Sequence, residues 1–295
     1  MDPRSGRTLN VIDETGHAKI NLALHVRARG ADGYHAIETI FAFARDGDGL
    51  AVTAHDRLSL KINGPYAAAL ADEDVESNLV LRAARAVQAA FAVSAGAAIT
   101  LDKRLPVASG IGGGSADAAA ALRALARLWN LPMADPRFGA IAAELGADVP
   151  ACLASRTAWA DGRGDRLTML AGDGLAAGGL AGMPLLLVNP HVACPTGPVF
   201  RGWDGLDRGP LDTGEPLAAA LAGRNDLEPP AIALVPEIAR AVALLGGQPG
   251  VKLARMSGSG ATCFALFDGQ AARAAAAQTV RIAEPGWWCL ETELL

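Results

Sequence analysis

Hydrophobic and polar residues alternate with a period of two in the first strongly patterned stretch of the chain, residues 19–26. Ile20 and Leu22 fall on one face, and Lys19 and Asn21 fall on the other. Because successive side chains of a strand point to opposite faces, this alternation predicts a half-buried β-strand. The polar face is either a functional pair of side chains or an ordinary solvated edge, and the stretch alone favours the solvated edge.

The same patterns predict the other elements of the chain. Strands are predicted over 37–43, 58–62, 99–101, 184–188, 251–255, 262–267 and 287–291, and helices over 79–91, 118–128, 136–146, 236–245 and 270–279. A loop containing Thr196 and Phe200 follows the strand at 184–188. Strands that alternate with helices and also form hairpins predict an α+β sandwich. Glycines become frequent between 161 and 182, so we expect two domains, residues 1–165 and 166–295.

The most distinctive stretch, residues 106–128, begins as a glycine-rich loop and continues as an alanine-rich helix. Four of the five positions from 110 to 114 are glycine, which permits positive φ and lets backbone N–H groups converge. The helix that follows begins with unpaired N–H groups and the positive end of its dipole, and both attract an anion. The sequence therefore predicts a phosphate site here, with Ser115 as the N-cap.

Two familiar phosphate-binding loops do not fit this stretch. A Walker loop has Lys after its last glycine, and the dinucleotide fingerprint has a glycine three places after Gly112, but Ser115 stands at both positions. The alternative is a flexible linker before a surface helix. Leu122, Leu125 and Leu128 give the helix an apolar stripe, however, and linkers seldom lead directly into packed helices. A third kind of phosphate loop is favoured.

Composition limits the kinds of protein this chain can be. Its 295 residues are enough for two domains with separate cores. A net charge of −5 argues against binding nucleic acid along an extended surface, although a local basic pocket remains compatible with it. Residues 174–200 carry no Asp, Glu, Lys or Arg, but four prolines interrupt them, so we expect no membrane span and no membrane partner.

The four cysteines are far apart and form no Cys/His ligand pattern. We therefore predict neither a disulfide framework nor a protein metal site, and a reducing compartment fits. Residues 1–8 are short and polar and lack the apolar core of a signal peptide. These features favour a cytoplasmic protein.

Residues that can carry chemistry stand beside several predicted elements. Tyr34 and His35 could offer a stacking face and hydrogen bonds to a planar base, or could equally be a packed pair at a hairpin end. Asp148 lies between a helix end and an apolar segment, so we expect it to be partly buried and to need a partner, for which Lys19 is a candidate. Lys103 could neutralise a phosphate, although a basic residue at a strand end is usually solvated.

Three stretches together resemble a known superfamily. They are Ala-Lys-Ile-Asn-Leu at 18–22 with Asp-Gly-Tyr-His at 32–35, the loop and helix start at 106–119, and Met-Ser-Gly-Ser-Gly-Ala at 256–261. They are similar to the motifs of the small-molecule kinases grouped with galactokinase, homoserine kinase and mevalonate kinase. The resemblance spans nearly the whole chain. It implies a two-domain α+β kinase fold, with a deep cleft between an N-terminal ATP-binding domain and a C-terminal domain that completes the substrate site.

The segments at 18–22 and 32–35, with Leu-Gly-Ala-Asp-Val-Pro at 145–150, resemble one branch of that superfamily. That branch uses ATP to phosphorylate the 2-hydroxyl of a cytidine diphosphate sugar alcohol in the non-mevalonate route to isoprenoids. The resemblance implies ATP and Mg²⁺ as cofactors and a small molecule as the second substrate. The sequence leaves a monomer and a homodimer equally open.

The resemblance also assigns residues to roles. Asp148 would be the general base and Lys19 its partner. The nucleotide would be bound by Asn78, Lys103, Pro106, Ser109, Gly110, Gly112, Gly113, Gly114 and Ser115. The second substrate would be bound by Asn21, Tyr34, His35, Thr196 and Phe200.

Two alternatives remain beside this hypothesis. A related kinase could act on homoserine or mevalonate, but those substrates have no base to stack against Tyr34 and His35. A non-catalytic nucleotide or sugar sensor on the same fold would have little need of both Lys19 and Asp148. The chain also departs from the family pattern at Ala108, where the family usually has Gly, and at Ala116, where it usually has a small hydroxyl or similar residue. Neither change removes the helix N-terminus, so we expect altered detail at the phosphates and retained activity.

Overall fold

A computed structural model of the chain describes residues 10–72, 74–170 and 179–295. Residues 1–8, for which the sequence predicts no signal peptide, lie outside the described residues, as does part of the glycine-rich stretch near the predicted domain boundary. In the described ranges, no helix is long and apolar enough to cross a membrane.

Six strands of the first half form one sheet. They are β1 (Ile12–Arg29), β2 (His35–His55), β3 (Ser59–Asn63), β4 (Gly96–Asp102), β5 (Ala158–Asp161) and β6 (Arg166–Met169). The order is β3-β4-β2-β5-β6, and β1 pairs with β2 along most of its length. Only the β3–β4 pair is parallel among these described strands. The two long strands, β1 and β2, therefore form one extended antiparallel pair within this sheet.

Four helices accompany this sheet, and they share a core with it. They are α1 (Leu79–Phe91), α2 (Gly113–Leu128), α3 (Pro136–Leu145) and α4 (Val149–Ala154). The predicted starts of α1 and α3 are confirmed, because the side chains of Asn78 and Asp135 accept hydrogen bonds from the first-turn amides of Val80 and Arg137. The apolar stripe of α2 is also confirmed, with Leu122 and Leu125 fully buried.

The second half forms an antiparallel sheet with helices of its own. Its strands are β7 (Pro184–Asn189), β8 (Val251–Met256), β9 (Cys263–Phe267) and β10 (Trp288–Glu293), in the order β10-β7-β9-β8. Its helices are α5 (Thr196–Arg201), α6 (Pro216–Ala222), α7 (Glu228–Leu234), α8 (Glu237–Gly246) and α9 (Gln270–Ala283). The first sheet ends at β6 and the second begins at β7, and the predicted division at residue 165 stays a prediction.

The segment that holds Thr196 and Phe200 is the helix α5, so its prediction as a loop is wrong. The segment contains Pro198, which disfavours a long helix. Pro198 stands in the first turn of α5, however, where a missing backbone N–H costs no helical hydrogen bond. The short helices α6 and α7 were not predicted, and each of them also has Pro in its first turn.

The polar face of β1 is buried, contrary to the predicted half-burial. Lys19 is 4 % exposed and Asn21 is 2 % exposed. On the other face, Ile20 belongs to a core shared with Leu185 of the second sheet. The polar face lies under the glycine-rich loop, where the Lys19 amide donates to the carbonyl of Ile111 at 3.0 Å. The alternation on β1 therefore separates an apolar interface from a polar site and does not separate core from solvent.

Candidate active site

The glycine-rich loop leads into α2, but the helix begins earlier than predicted. Its first residue is Gly113, and the cap position is Gly112, whose φ is 65°. No side chain caps this helix, so the prediction of Ser115 as the N-cap is wrong. A glycine in the left-handed region turns the chain without a hydroxyl group. The first N–H groups of α2 consequently have no side-chain acceptor and are available to an anion.

A pocket of about 370 Å³ at this helix end brings the predicted nucleotide-binding residues together. Its lining includes Asn78, Lys103, Pro106, Ser109, Gly110, Gly112, Gly113, Gly114 and Ser115. A neighbouring pocket of about 400 Å³ shares Asn78 and Leu70 with it and adds the apolar side chains of Leu60 and Ile62. The two together offer convergent amides beside an apolar wall.

Lys103 lies in the wall of this phosphate pocket, and two carboxylates share its charge. Its Nζ donates to Oδ2 of Asp48 at 2.5 Å and to Oδ2 of Asp117 at 2.8 Å. Burial, opposed by Lys103, raises the pKa of the Asp117 carboxyl above its ordinary value. Although burial lowers the pKa of the Lys103 ammonium, Asp117 and Asp48 raise it above its ordinary value. Basic residues at strand ends are usually solvated. Arg104 follows this rule, since its side chain is 62 % exposed, whereas the side chain of Lys103 is buried.

Lys19 and Asp148 meet beside the loop, a pairing that the sequence could only suggest. Lys19 Nζ lies 3.3 Å from Oδ2 of Asp148, and Asp148 is partly exposed at the start of α4, as predicted. A Cβ atom at Gly112 would lie 3.2 Å from Cε of Lys19. The lysine stem therefore runs directly under the end of the phosphate loop, where a side chain at position 112 would crowd it.

Asn21 holds Lys19 in place. Its Oδ1 accepts a hydrogen bond from Lys19 Nζ at 3.1 Å, and its Nδ2 donates to Oγ1 of Thr39 at 2.8 Å. Its backbone amide donates to Oγ of Ser257 at 3.1 Å. These contacts give Asn21 a structural role beside the catalytic candidates, and its predicted contact with the second substrate stays a prediction.

The other predicted substrate residues line a second pocket, of about 580 Å³, which we call the aromatic pocket. Tyr34, His35, Thr196 and Phe200 all contribute to it. The ring centroids of His35 and Phe200 are 5.1 Å apart. The ring of Trp203 packs edge-on against His35, with 5.7 Å between the ring centroids. Burial lowers the pKa of the His35 imidazole, so the ring is largely neutral at pH 7 and can both donate and accept hydrogen bonds.

Three arginines that the sequence analysis did not single out also line the aromatic pocket. They are Arg29, Arg163 and Arg201, and its described lining contains no Asp or Glu. The guanidinium of Arg163 lies 3.7 Å from the centre of the Tyr34 ring and donates to Asp32 at 2.7 Å. The aromatic pocket thus combines ring surfaces with positive charge, in a chain whose net charge is negative. Such a combination suits a planar base that carries phosphates.

The Lys19–Asp148 pair lies between the two pockets. Gly112, which lines the phosphate pocket, is in reach of Lys19, and Ala147, which lines the aromatic pocket, directly precedes Asp148. A phosphoryl donor in the first pocket and a hydroxyl group from a ligand in the second would meet at this pair. The arrangement can therefore support proton removal and phosphoryl transfer at one point.

The second glycine loop, at residues 257–261, packs against the first glycine loop and hydrogen-bonds to its backbone. The backbone N–H of Thr262 donates to the carbonyl of Ser109 at 3.1 Å, and Ser257 Oγ donates to the carbonyl of Gly110 at 3.2 Å. A Cβ atom at Gly110 would lie only 2.5 Å from the carbonyl oxygen of Gly260. The sequence marked this loop as a motif, but its contact with the phosphate loop joins segments that are distant along the chain.

Oxygen donors for a metal ion are present in the phosphate pocket. Within the part of the chain that the structure describes, no group of three or more His, Cys, Asp and Glu side chains is arranged to hold a metal. The phosphate pocket nevertheless includes the hydroxyl of Ser115 and the carboxyl of Asp117, whose buried Oδ1 has no hydrogen-bond partner. These groups suit a hard cation that keeps most of its ligands from phosphate and water.

The chain is similar to known kinases along nearly its whole length. Residues 78–156 match the GHMP kinases N terminal domain, and residues 206–283 match the GHMP kinases C terminal region. A 4-diphosphocytidyl-2-C-methyl-D-erythritol kinase of Rhizorhabdus wittichii is 59 % identical, over 95 % of this chain and 94 % of that protein. The kinase of the same name from Novosphingobium aromaticivorans is 47 % identical, over 98 % and 94 % of the two chains.

Solved structures agree with this similarity. A crystal structure of 4-(cytidine 5'-diphospho)-2C-methyl-D-erythritol kinase is 35 % identical and superimposes with a TM-score of 0.79, covering 95 % of this chain and 99 % of that one. Homoserine kinase from Cytophaga hutchinsonii is 16 % identical and superimposes with a TM-score of 0.63, over the full length of both chains. The latter likeness concerns the fold alone, and it confirms the predicted two-domain α+β kinase architecture.

Proposed function

The chain belongs to the 4-diphosphocytidyl-2-C-methyl-D-erythritol kinases of the GHMP kinase family, and from that premise we propose the reaction and the residues that carry it. The enzyme transfers the γ-phosphoryl group of ATP to the 2-hydroxyl of 4-diphosphocytidyl-2-C-methyl-D-erythritol. The products are the 2-phosphate and ADP, in the non-mevalonate route to isoprenoid precursors. The observation that carries the residue assignment is the position of Lys19 and Asp148 between a phosphate pocket and an aromatic pocket.

ATP binds in the phosphate pocket. The uncapped N-terminus of α2 faces the triphosphate with its free N–H groups, and Gly112 and Gly113 let the phosphates approach the backbone closely. Lys103 adds positive charge in the wall, although Asp48 and Asp117 already offset much of it. Positioning and charge neutralisation are the main requirements of phosphoryl transfer, and this pocket supplies both.

The cytidine diphosphate part of the acceptor binds in the aromatic pocket. The cytosine ring packs against His35 and Phe200, whose rings already lie in contact. Arg29 and Arg201 face the diphosphate, and the absence of acidic side chains from the described lining leaves their charge available to it. Thr196, at the start of α5, completes this side of the site.

Asp148 acts as the general base and Lys19 stabilises the transition state. The acceptor is a tertiary alcohol that is almost un-ionised at neutral pH, so its proton must leave as the phosphoryl group arrives. A positioned base contributes about 10² to 10⁴ in rate to such a step. The Lys19 ammonium, 3.3 Å from the carboxylate of Asp148, also stabilises negative charge on the attacking oxygen. Asn21 fixes the direction of this ammonium.

Mg²⁺ accompanies ATP. The ion would be held mainly by the phosphates, with the Ser115 hydroxyl as a donor from the protein. When bound, it neutralises charge on the phosphates.

We place the enzyme in the cytoplasm, because its four cysteines are free thiols, which suits a reducing compartment. Its oligomeric state is either a monomer or a homodimer.

A coupled ADP-release assay tests the proposed function. Purified protein is given ATP with each of four acceptors: the cytidine diphosphate methylerythritol, homoserine, mevalonate and galactose. Rapid ADP release is expected with the first alone, because only that acceptor has a base for the aromatic pocket. Comparable turnover of mevalonate or homoserine would contradict the proposal. ATP binding without turnover of any acceptor would favour the sensor alternative.

A further inference from the structure

Asp148 stands at the start of a helix that is too short to fix its own direction. Helix α4 has six residues, and isolated helices shorter than about 12 residues are marginal in water. The side chain of Asp148 is 39 % exposed, so solvent surrounds part of it and packing does not enclose it. Val149, Ala151 and Cys152 pack one side of α4 into the core. The place of this carboxylate therefore depends on that packing and on what holds the other end of the helix.

Arg123, on α2, binds that other end. Its Nη1 donates to the carbonyl oxygens of Cys152 at 2.9 Å and Leu153 at 3.4 Å, and to Oγ of Ser155 at 3.3 Å. The last carbonyl groups of a helix have no partner within the helix, and a cation there also complements the helix dipole. The guanidinium of Arg123 is thus the C-terminal anchor of α4.

The other edge of the same guanidinium binds the strand that carries Lys19. Nη2 of Arg123 donates to the carbonyl of Thr15 at 2.8 Å, and Nε pairs with Glu14 at 3.0 Å. Thr15 lies four residues before Lys19 on β1. Arg123 therefore joins the strand of Lys19 to the helix of Asp148, and it does so from the helix that begins at the phosphate loop.

We propose that Arg123 is a positioning residue for phosphoryl transfer, because it sets the separation between Lys19 and Asp148. This role rests on the proposed function. A six-residue helix is about 9 Å long, so a tilt at the Ser155 end moves Asp148 at the opposite end. A misplacement of about 1 Å can cost about 10² in rate. The phosphate pocket lies at the far end of α2 and takes no lining from Arg123 or α4, so ATP binding should not change.

The matched variants Arg123→Met and Arg127→Met test this role. Arg127 lies one turn further along α2, pairs with the same Glu14 at 2.8 Å and donates to the carbonyl of Asp13 at 2.7 Å. The control thus also loses contacts to β1. In the described part of the chain, Arg123 hydrogen-bonds to α4 and Arg127 does not. In Arg123→Met, kcat should fall about 10-fold to 10²-fold while the KM for ATP stays within about twofold. Arg127→Met should change neither constant by more than about twofold.

Arg123→Lys is the second variant, used alone if Arg123→Met does not fold. One ammonium can reach α4 or β1 but cannot span both as the planar guanidinium does, so kcat should again fall, by less. A kcat near that of the wild type in the folded Arg123 variants, or an equal loss in Arg127→Met, would overturn the proposal.

Crystal structures of the same variants separate this role from the proposed function. The distance between Lys19 Nζ and Asp148 Oδ2, 3.3 Å in the parent structure, should increase in the Arg123 variants and stay the same in Arg127→Met. This distance can be measured even if the wild-type protein phosphorylates none of the four acceptors. An unchanged distance in the Arg123 variants would overturn the positioning role whatever the assay gives.

Discussion

The two pockets on either side of the Lys19–Asp148 pair are built in different ways. The phosphate pocket takes most of its lining from one continuous stretch, residues 106–115, and its main binding groups are backbone amides at a helix end. The aromatic pocket collects side chains from residues 29–37, 147 and 163 and from helix α5. The first site therefore depends on local backbone conformation, and the second depends on the tertiary fold that brings distant side chains together.

Asp148→Asn should separate chemistry from binding in both pockets. The amide keeps the size of the carboxylate but cannot accept the proton, so turnover should fall by about 10² or more. The KM for ATP and the KM for the cytidine diphosphate acceptor should each stay within about twofold, since neither pocket loses a lining group. Kinetics with both substrates and a melting curve on the same variant check this expectation.

The melting curve of that variant tests the alternative role of Asp148. If Asp148 only neutralised the buried Lys19, the main effect would be lost stability. The loss should be smaller than the roughly 3 to 5 kcal/mol of fully buried pairs, because the side chain of Asp148 is 39 % exposed. Near-normal turnover would refute the base assignment. A large drop in melting temperature with turnover retained in the folded protein would assign Asp148 a structural role.

Gly113→Val should impair the phosphate pocket alone. A Cβ atom at Gly113 would lie 3.1 Å from Nζ of Lys103, and a β-branched side chain would also cover the first amides of α2. Loss of one hydrogen bond to a charged phosphate should raise the KM for ATP by about 10-fold or more. Gly139→Val in α3 is the control, because a Cβ atom there would meet nothing within 4 Å and the position lies outside the pocket lining. Unchanged ATP affinity in folded Gly113→Val would remove the loop from the site.

Phe200→Ala should impair the aromatic pocket alone. Stacking of a base on an aromatic side chain contributes about 1 to 3 kcal/mol, so the KM for the cytidine diphosphate acceptor should rise about fivefold or more. The KM for ATP should not change. Leu206→Ala, an exposed position outside the pocket lining, is the control. A rise in the KM for ATP of the same size would mean that the two pockets are not independent.

The contrast between the pockets also explains what the sequence could predict. The caps at Asn78 and Asp135 and most of the predicted element bounds depend on neighbours along the chain, and the structure confirms them. The glycine-rich loop before α2 is equally local, and its role as a phosphate site stays a prediction. The prediction of Ser115 as the N-cap of α2 was wrong, although the cause is also local to this stretch of the chain. Glycine at position 112 turns the chain at φ 65°, so the helix starts without needing the hydroxyl group.

What the sequence could not predict depends on distant partners. Lys19 and Asn21 are visible as the polar face of β1, but only the tertiary fold covers that face with the glycine-rich loop. Lys103 has the same pattern as a solvated strand-end lysine, and its partner Asp48 lies 55 positions earlier. The fold and the glycine-rich loop at a helix start could therefore be predicted, and the Lys19–Asp148 pair could be suggested. The pairing of Lys103 with Asp48 and the arginines of the aromatic pocket could not.

Ala108→Gly should have the smallest effect, and it tests how far the phosphate pocket depends on backbone conformation. Ala108 has φ 51°, a left-handed conformation that costs a residue with a Cβ atom about 1 to 2 kcal/mol. Glycine removes this strain but adds about 0.4 to 1 kcal/mol of unfolded-state entropy. The free energy of unfolding should therefore rise by about 1 kcal/mol or less. The KM for ATP should stay within about twofold, because no N–H group is lost.

Ala116→Gly is the matched control for that prediction, because the same substitution acts on a regular helical backbone. Ala116 is buried in the first turns of α2, where glycine costs about 1 kcal/mol relative to alanine. The two variants should therefore shift the midpoint of chemical denaturation in opposite directions. If Ala108→Gly also lowered the midpoint, the left-handed turn at 108 would carry no strain that glycine relieves. If it raised the KM for ATP fivefold or more, the Ala108 methyl group would itself contribute to nucleotide binding, and the phosphate pocket would depend on side chains as the aromatic pocket does.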